Sequence, residues 1–90
     1  MTYRIDEVKV LSVGTTAQDI DVRCQSFLIE NNSASESVYF KEKDCDGKDC
    51  TSANGFVLGP GERMELPLCA GTLSLIASED DTDVRLLIVG

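Results

Sequence analysis

Seven consecutive residues, Asp44-Cys45-Asp46-Gly47-Lys48-Asp49-Cys50, hold the densest set of groups in this chain that could do chemistry: three carboxylates and two thiols around one glycine. Carboxylates clustered on a turn suit a hard cation such as calcium. An EF-hand-type loop begun at Asp44 fits poorly, because Gly55 stands where its bidentate glutamate belongs and the cation Lys48 takes a ligand position. Thiolates suit zinc or an iron–sulfur cluster. With no histidine in the chain, Cys45 and Cys50 would then need Cys24 and Cys69 to complete the set. A third reading is a Cys45–Cys50 disulfide across a hairpin tip, where closing so short a loop contributes roughly 2 kcal/mol. A pair of free thiols in an exposed loop is the fourth. In every version the stretch reads as a loop tip, and Asp44, Asp46, Lys48 and Asp49 are its candidate interaction residues.

Catalysis finds little support elsewhere. Cys24 and Cys69 fall at apolar positions of strand patterns and read as small core residues. A cysteine nucleophile needs a base or a cationic neighbour, and no histidine can serve. No G-x-S-x-G elbow is present, and Gly14-Thr15-Thr16 lacks the following G-K-[ST] of a phosphate loop. With 16 acidic residues among 90, close carboxylate pairs arise by composition alone, so Asp80, Asp81 and Asp83 read as a solvated turn. The chain is not expected to be an enzyme, and neither a metal nor a cofactor is expected.

The elements that must position the 44–50 stretch are strands. Apolar residues recur mostly at every second position: Val8 and Val10 around Lys9; Ile20, Val22 and Cys24; Met64, Leu66 and Leu68. Each such run predicts a half-buried strand with its apolar side inward. Phe27-Leu28-Ile29, Val38-Tyr39-Phe40, Leu73-Ser74-Leu75-Ile76 and Arg85–Val89 predict more completely buried strands. The apolar parity switches between Cys24 and Phe27, which predicts a bulge or bend within 18–30. Asn31-Asn32-Ser33-Ala34-Ser35 reads as a polar loop, and Asn54-Gly55 as a turn tolerant of positive φ. Gly59-Pro60-Gly61-Glu62 fits a type II turn, with Gly61 supplying the positive φ. About seven short strands with turns at short intervals predict one all-β domain over 1–90, a small antiparallel sandwich or barrel.

A formal charge of −8 repels a phosphate backbone and an anionic bilayer alike, so neither nucleic acid nor membrane is an expected partner. The N-terminal residues are mixed and charged, giving no expectation of a signal peptide, and no apolar run approaches the length of a membrane span. The chain is therefore expected to be made in the cytoplasm. A carbohydrate- or calcium-binding module is an alternative use of such loops, but the chain has no tryptophan and places most of its five aromatic residues in strand runs.

The order of motifs adds to this. The stretches RCQSFLIENNSASESVYF, NGFVLGPGERMELPL and GTLSLIASEDDTDVRLLIVG, spanning about residues 18 to 89, resemble the small β-sandwich structural proteins of tailed bacteriophages. The resemblance implies a virion protein that decorates or cements the capsid by binding the major capsid protein or other coat proteins. A neck, tail or fibre-base accessory is the alternative it leaves. A homo-oligomer of closed symmetry is expected, with a trimer suiting an icosahedral lattice, and residues 1–17, which lie outside the clearest resemblance, are the candidate N-terminal arm or edge strand. The insertion carrying Cys45 and Cys50 departs from the pattern. In a virion part released by lysis into oxidising medium, that pair could close.

Overall fold

Among the described residues, alternation of apolar and polar residues produces eight strands, and turn chemistry decides where each stops. The computed structural model describes residues 5–22, 25–43, 46–69 and 71–89. The strands are β1 (Ile5–Val13), β2 (Gln18–Asp21), β3 (Gln25–Asn31), β4 (Val38–Glu42), β5 (Phe56–Leu58), β6 (Arg63–Cys69), β7 (Thr72–Ala77) and β8 (Thr82–Val89). One sheet runs β1-β8-β3-β6 and the other β2-β7-β4-β5, with every recorded pairing antiparallel. The shortest extent of the backbone, 16 Å, accommodates two sheets stacked about 10 Å apart. This is the all-β sandwich the pattern predicts, with β5 added to the seven expected strands.

The period of two decides what is buried. Phe27 and Ile29 of β3, with Val84, Leu86 and Ile88 of β8, point inward from the first sheet. Val38 and Phe40 of β4, with Leu73, Leu75 and Ala77 of β7, meet them from the second, and Leu58, Val13 and Val22 close the ends. Burying a side chain of this size stabilises by about 1.5–3 kcal/mol. The runs expected to be more completely buried also alternate, since Leu28, Tyr39, Ile76 and Leu87 are half-buried on the outer faces. Antiparallel sheets need only one covered face, so a continuous apolar run does not imply two.

Three expectations about local geometry divide differently. The register shifts between Gln25 and Phe27 where β3 pairs with β6, and the 18–30 segment leaves one sheet at Asp21 to enter the other at Gln25. The corner at 59–62 forms as expected: Gly61 has φ 76° and the Glu62 amide donates to the Gly59 carbonyl at 3.0 Å. Val8 and Val10, however, face water at 57% and 64% exposure, while Lys9 between them is half-buried. Leu11 and Val13 set the parity of β1 by facing Val84 and Thr82 of β8, so the even-numbered valines are turned outward. Residues 5–13 of the expected arm thus form an edge strand, and residues 1–4 lie outside the described residues.

Candidate interaction surface

The segment after β4 folds back over the second sheet. Asp19, Ser74 and Lys41 form one outward row across β2, β7 and β4, because Ser74 pairs with each of the other two. The Lys41 ammonium donates to the Asp46 carboxylate and, at 2.9 Å, to the Lys48 carbonyl. The Lys43 ammonium lies 2.8 Å from Asp19 Oδ2 and 2.9 Å from Asp49 Oδ1. The Cys50 amide donates to Ser74 Oγ at 2.9 Å. Two lysines and one serine therefore fasten residues 46–50 to the row beneath.

Beyond this, Asn54 accepts from the Thr51 amide at 2.6 Å and donates to the Asp49 carbonyl at 3.1 Å, which rounds off the turn. Gly55 does not adopt the positive φ expected of it; among the described residues the glycines that do are Gly47 and Gly61. Its role is close approach. A Cβ there would stand 2.5 Å from Cys50 Sγ and 2.9 Å from Tyr39 Cβ.

These contacts revise the expectation of a projecting tip. Asp46, Lys48 and Asp49 are exposed, but the backbone carrying them lies flat against the sheet, and Cys50 is buried at 1% exposure. Two fully exposed thiols are excluded on that ground. Asp44, Cys45 and Cys24 lie outside the described residues. Cys50 itself is a free thiol, its sulfur 3.7 Å from the Thr51 carbonyl. Burial pushes the Cys50 thiol above the ordinary cysteine value of 9.0, against a smaller opposing pull from Lys41. A thiol so placed is mostly protonated at neutral pH and a weak nucleophile.

The electrostatics follow from the same pairs. Hydrogen bonding to Asp19, then to Asp49, raises the pKa of Lys43, and hydrogen bonding from Lys41, then from the Lys48 amide, lowers that of Asp46. Because Asp46 and Asp49 turn to different lysines, they do not converge, and among the described residues no three metal-ligating side chains gather. On the first sheet, Arg85 grips Asp83 with Nε and Nη2 at 2.9 and 3.0 Å, and Asn32 donates to the same carboxylate at 2.9 Å.

Two clusters of exposed apolar side chains lie at sheet edges. On β1, Val8 continues an outward row with Leu87 and Leu28, and Val10 stands beside it. On β5, Phe56 is 56% and Val57 51% exposed. The Phe56 ring leans on Phe40 with centroids 5.8 Å apart, while Val57 continues an outward row with Tyr39 and Ile76. Both clusters escape the sequence pattern because alternation alone does not say which strands end up at an edge.

Another residue it missed is Asn31, which reads as loop but ends β3 fully buried. Its Nδ2 donates to the Glu36 and Leu58 carbonyls at 2.7 and 3.0 Å, and its Oδ1 accepts from the Ser33 amide and hydroxyl at 3.1 and 2.7 Å. An asparagine just after an apolar run and ahead of serines is the signal that could have marked it.

Fold and surface together define a small two-sheet antiparallel β-sandwich with exposed apolar side chains on two of its edge strands. Compared with protein-family models, with curated proteins and with solved structures, the chain matches none.

Proposed function

We propose that this chain is a structural protein of a virion, binding coat proteins through its surface and stabilising the shell they form. The observation that carries the reading is the exposed pair Phe56 and Val57 on the three-residue edge strand β5. The two side chains lie on opposite faces of the strand, Phe56 toward Phe40 and Val57 in the outward row with Tyr39, so an inserted edge would offer a partner an aromatic ring on one side and a branched aliphatic chain on the other, and aromatic residues dominate binding energy at interfaces. The motif order of residues 18 to 89 supplies the assembly, a tailed-phage head. The acidic surface favours a basic partner face.

Mixing purified protein with shells that lack it tests this. Stoichiometric binding and a higher disruption temperature are expected. Phe56→Ser with Val57→Asp weakens binding by at least about tenfold, the loss of one or two anchors, while circular dichroism stays that of the wild type. Binding to no particle, or full binding by the double variant, overturns the reading.

A further inference from the structure

Of the three asparagines in the chain, only Asn54 precedes a glycine. With no side chain on Gly55 to hinder it, the Gly55 backbone nitrogen can reach the Asn54 side-chain amide, and that ring closure is what makes asparagine thermolabile. Asn54 is exposed to water, yet the turn that carries it ties down both reacting groups. The Gly55 amide donates to the Thr51 carbonyl at 2.9 Å. The Asn54 side chain is pinned at both ends, accepting from the Thr51 amide at 2.6 Å and donating to the Asp49 carbonyl at 3.1 Å. Cys50 Sγ and Tyr39 stand too close to Gly55 for its backbone to swing toward Asn54. Asp46-Gly47 is the other pair that could close such a ring. It does so by losing water from a protonated carboxyl, and Lys41 holds the Asp46 carboxylate ionised.

We propose that Asn54-Gly55 is a spontaneous deamidation site locked by the fold: Asn54 keeps its amide while residues 46–55 stay fastened to the second sheet, reacts when they open, and once converted no longer lets them close.

In the reaction the Gly55 nitrogen forms a bond to Asn54 Cγ, and the Cγ–Nδ2 bond breaks. The proton shed by Gly55 passes through solvent to the departing nitrogen, which leaves as ammonia. Water then opens the resulting succinimide at either carbonyl, giving aspartate or an isoaspartate whose backbone runs through Cβ and Cγ. One water is consumed and one ammonia released, with no oxidant or reductant.

The lock fails for two reasons after conversion. Either product lacks the Nδ2 donor that holds the Asp49 carbonyl, and adds a carboxylate to a turn already carrying Asp46 and Asp49. Isoaspartate also lengthens the backbone beside Gly55, where a single added carbon would stand 2.5 Å from Cys50 Sγ. The change is irreversible, so it records how long the segment has spent open. This goes beyond the virion reading and needs no partner.

Ageing the purified full chain in mildly alkaline buffer tests it, with isoelectric focusing to follow the new charge and peptide mass mapping to place it. The native chain is expected to convert at position 54 at least about tenfold more slowly than the chain in urea, because only the open fraction reacts. Lys43→Met removes the contacts to Asp19 and Asp49 and speeds conversion several-fold. Ile88→Val weakens the core of the first sheet and leaves the rate unchanged, since the opening required is local. Asn54→Gln removes the acidic product on that timescale, because glutamine must close a larger ring. The converted chain exposes Cys50 to a disulfide reagent faster than fresh protein does. Equal rates in the native and urea-treated chains, a Lys43→Met variant no faster than wild type, an Ile88→Val variant as fast as Lys43→Met, an acidic product that maps elsewhere, or a converted chain with Cys50 still shielded overturns the proposal.

Discussion

Asn31 shows how one polar side chain can hold several parts of a sandwich together. Beyond its four side-chain hydrogen bonds, its amide donates to the Glu62 carbonyl and its own carbonyl accepts from Gly61, each at 2.9 Å. The end of β3, the 32–37 loop, the end of β5 and the 59–62 corner thus share one residue. Replacing it with alanine strands the Leu58 carbonyl in a buried place and empties the side-chain site. A loss of about 2–4 kcal/mol is expected, read as a lower urea midpoint, because an unsatisfied buried group costs about 1–3 kcal/mol and the smaller side chain leaves a void. Residues of this kind are only half legible in a sequence. That Asn31 turns the chain could be read from its type; that it does so from inside could not, since the carbonyls it serves come from positions 5 and 27 residues away. Gly55 is similar: its type announced a constraint, but the constraint is crowding by Cys50 and Tyr39 and not backbone handedness.

Residues 46–55 behave as a strap over the second sheet, and its fastening is ionic. The sequence made Asp46, Lys48 and Asp49 visible as a charged cluster. It could not reveal that Lys41 and Lys43 would claim the acids, because that depends on β4 turning Lys41 outward, on Lys43 following just past its end, and on Asp19 of β2 lying two strands away. The pairs hold over a wide pH range. Asp46 has a folded pKa below the ordinary 3.8, so its contribution is complete above that value and is lost as pH falls through the folded one. Lys43 has a folded pKa above the ordinary 10.5, so its contribution is complete below that value and is lost as pH rises through the folded one. Cys50 under the strap gives a reporter. At neutral pH, Lys43→Met removes the contacts to Asp19 and Asp49, and the rate at which a disulfide reagent modifies Cys50 is expected to rise several-fold. The measurement is best made with the other cysteines replaced by serine and the substitution at 43 compared in that background. An unchanged rate would mean that the Ser74 contact and the packing of Gly55 hold the strap without the lysine.

In the fold as a unit, the strand order matters more than any contact within one strand. The last strand, β8, lies between β1 and β3, so the first sheet joins residues 5–13 and 25–31 only through residues 82–89. Period-two alternation made the sandwich legible from sequence, since it needs only neighbours along the chain. Strand order did not emerge from it, because which strand takes the centre is decided by pairing across the length of the protein. Two consequences follow from that order. Native pairs as distant as Val13 and Thr82 must form before the core closes, and closing such long loops before any contact stabilises them makes folding slow, in the range of milliseconds to seconds. The apolar side chains of β8, Val84, Leu86 and Ile88, are each at most 1% exposed and belong to the same core as Phe27 and Ile29, so nothing else can cover that part of the second sheet. A chain ending at Asp81 is therefore expected to lose cooperative unfolding altogether, with β1 left unpaired and the interior of the second sheet open to water. Thermal unfolding followed by far-ultraviolet circular dichroism checks this: a single sharp transition for the full chain, and a sloping trace without a midpoint for the truncated one. A truncated chain that still melted cooperatively would show that the second sheet and β3 with β6 form a core on their own, and that β8 is an addition to it and not its centre.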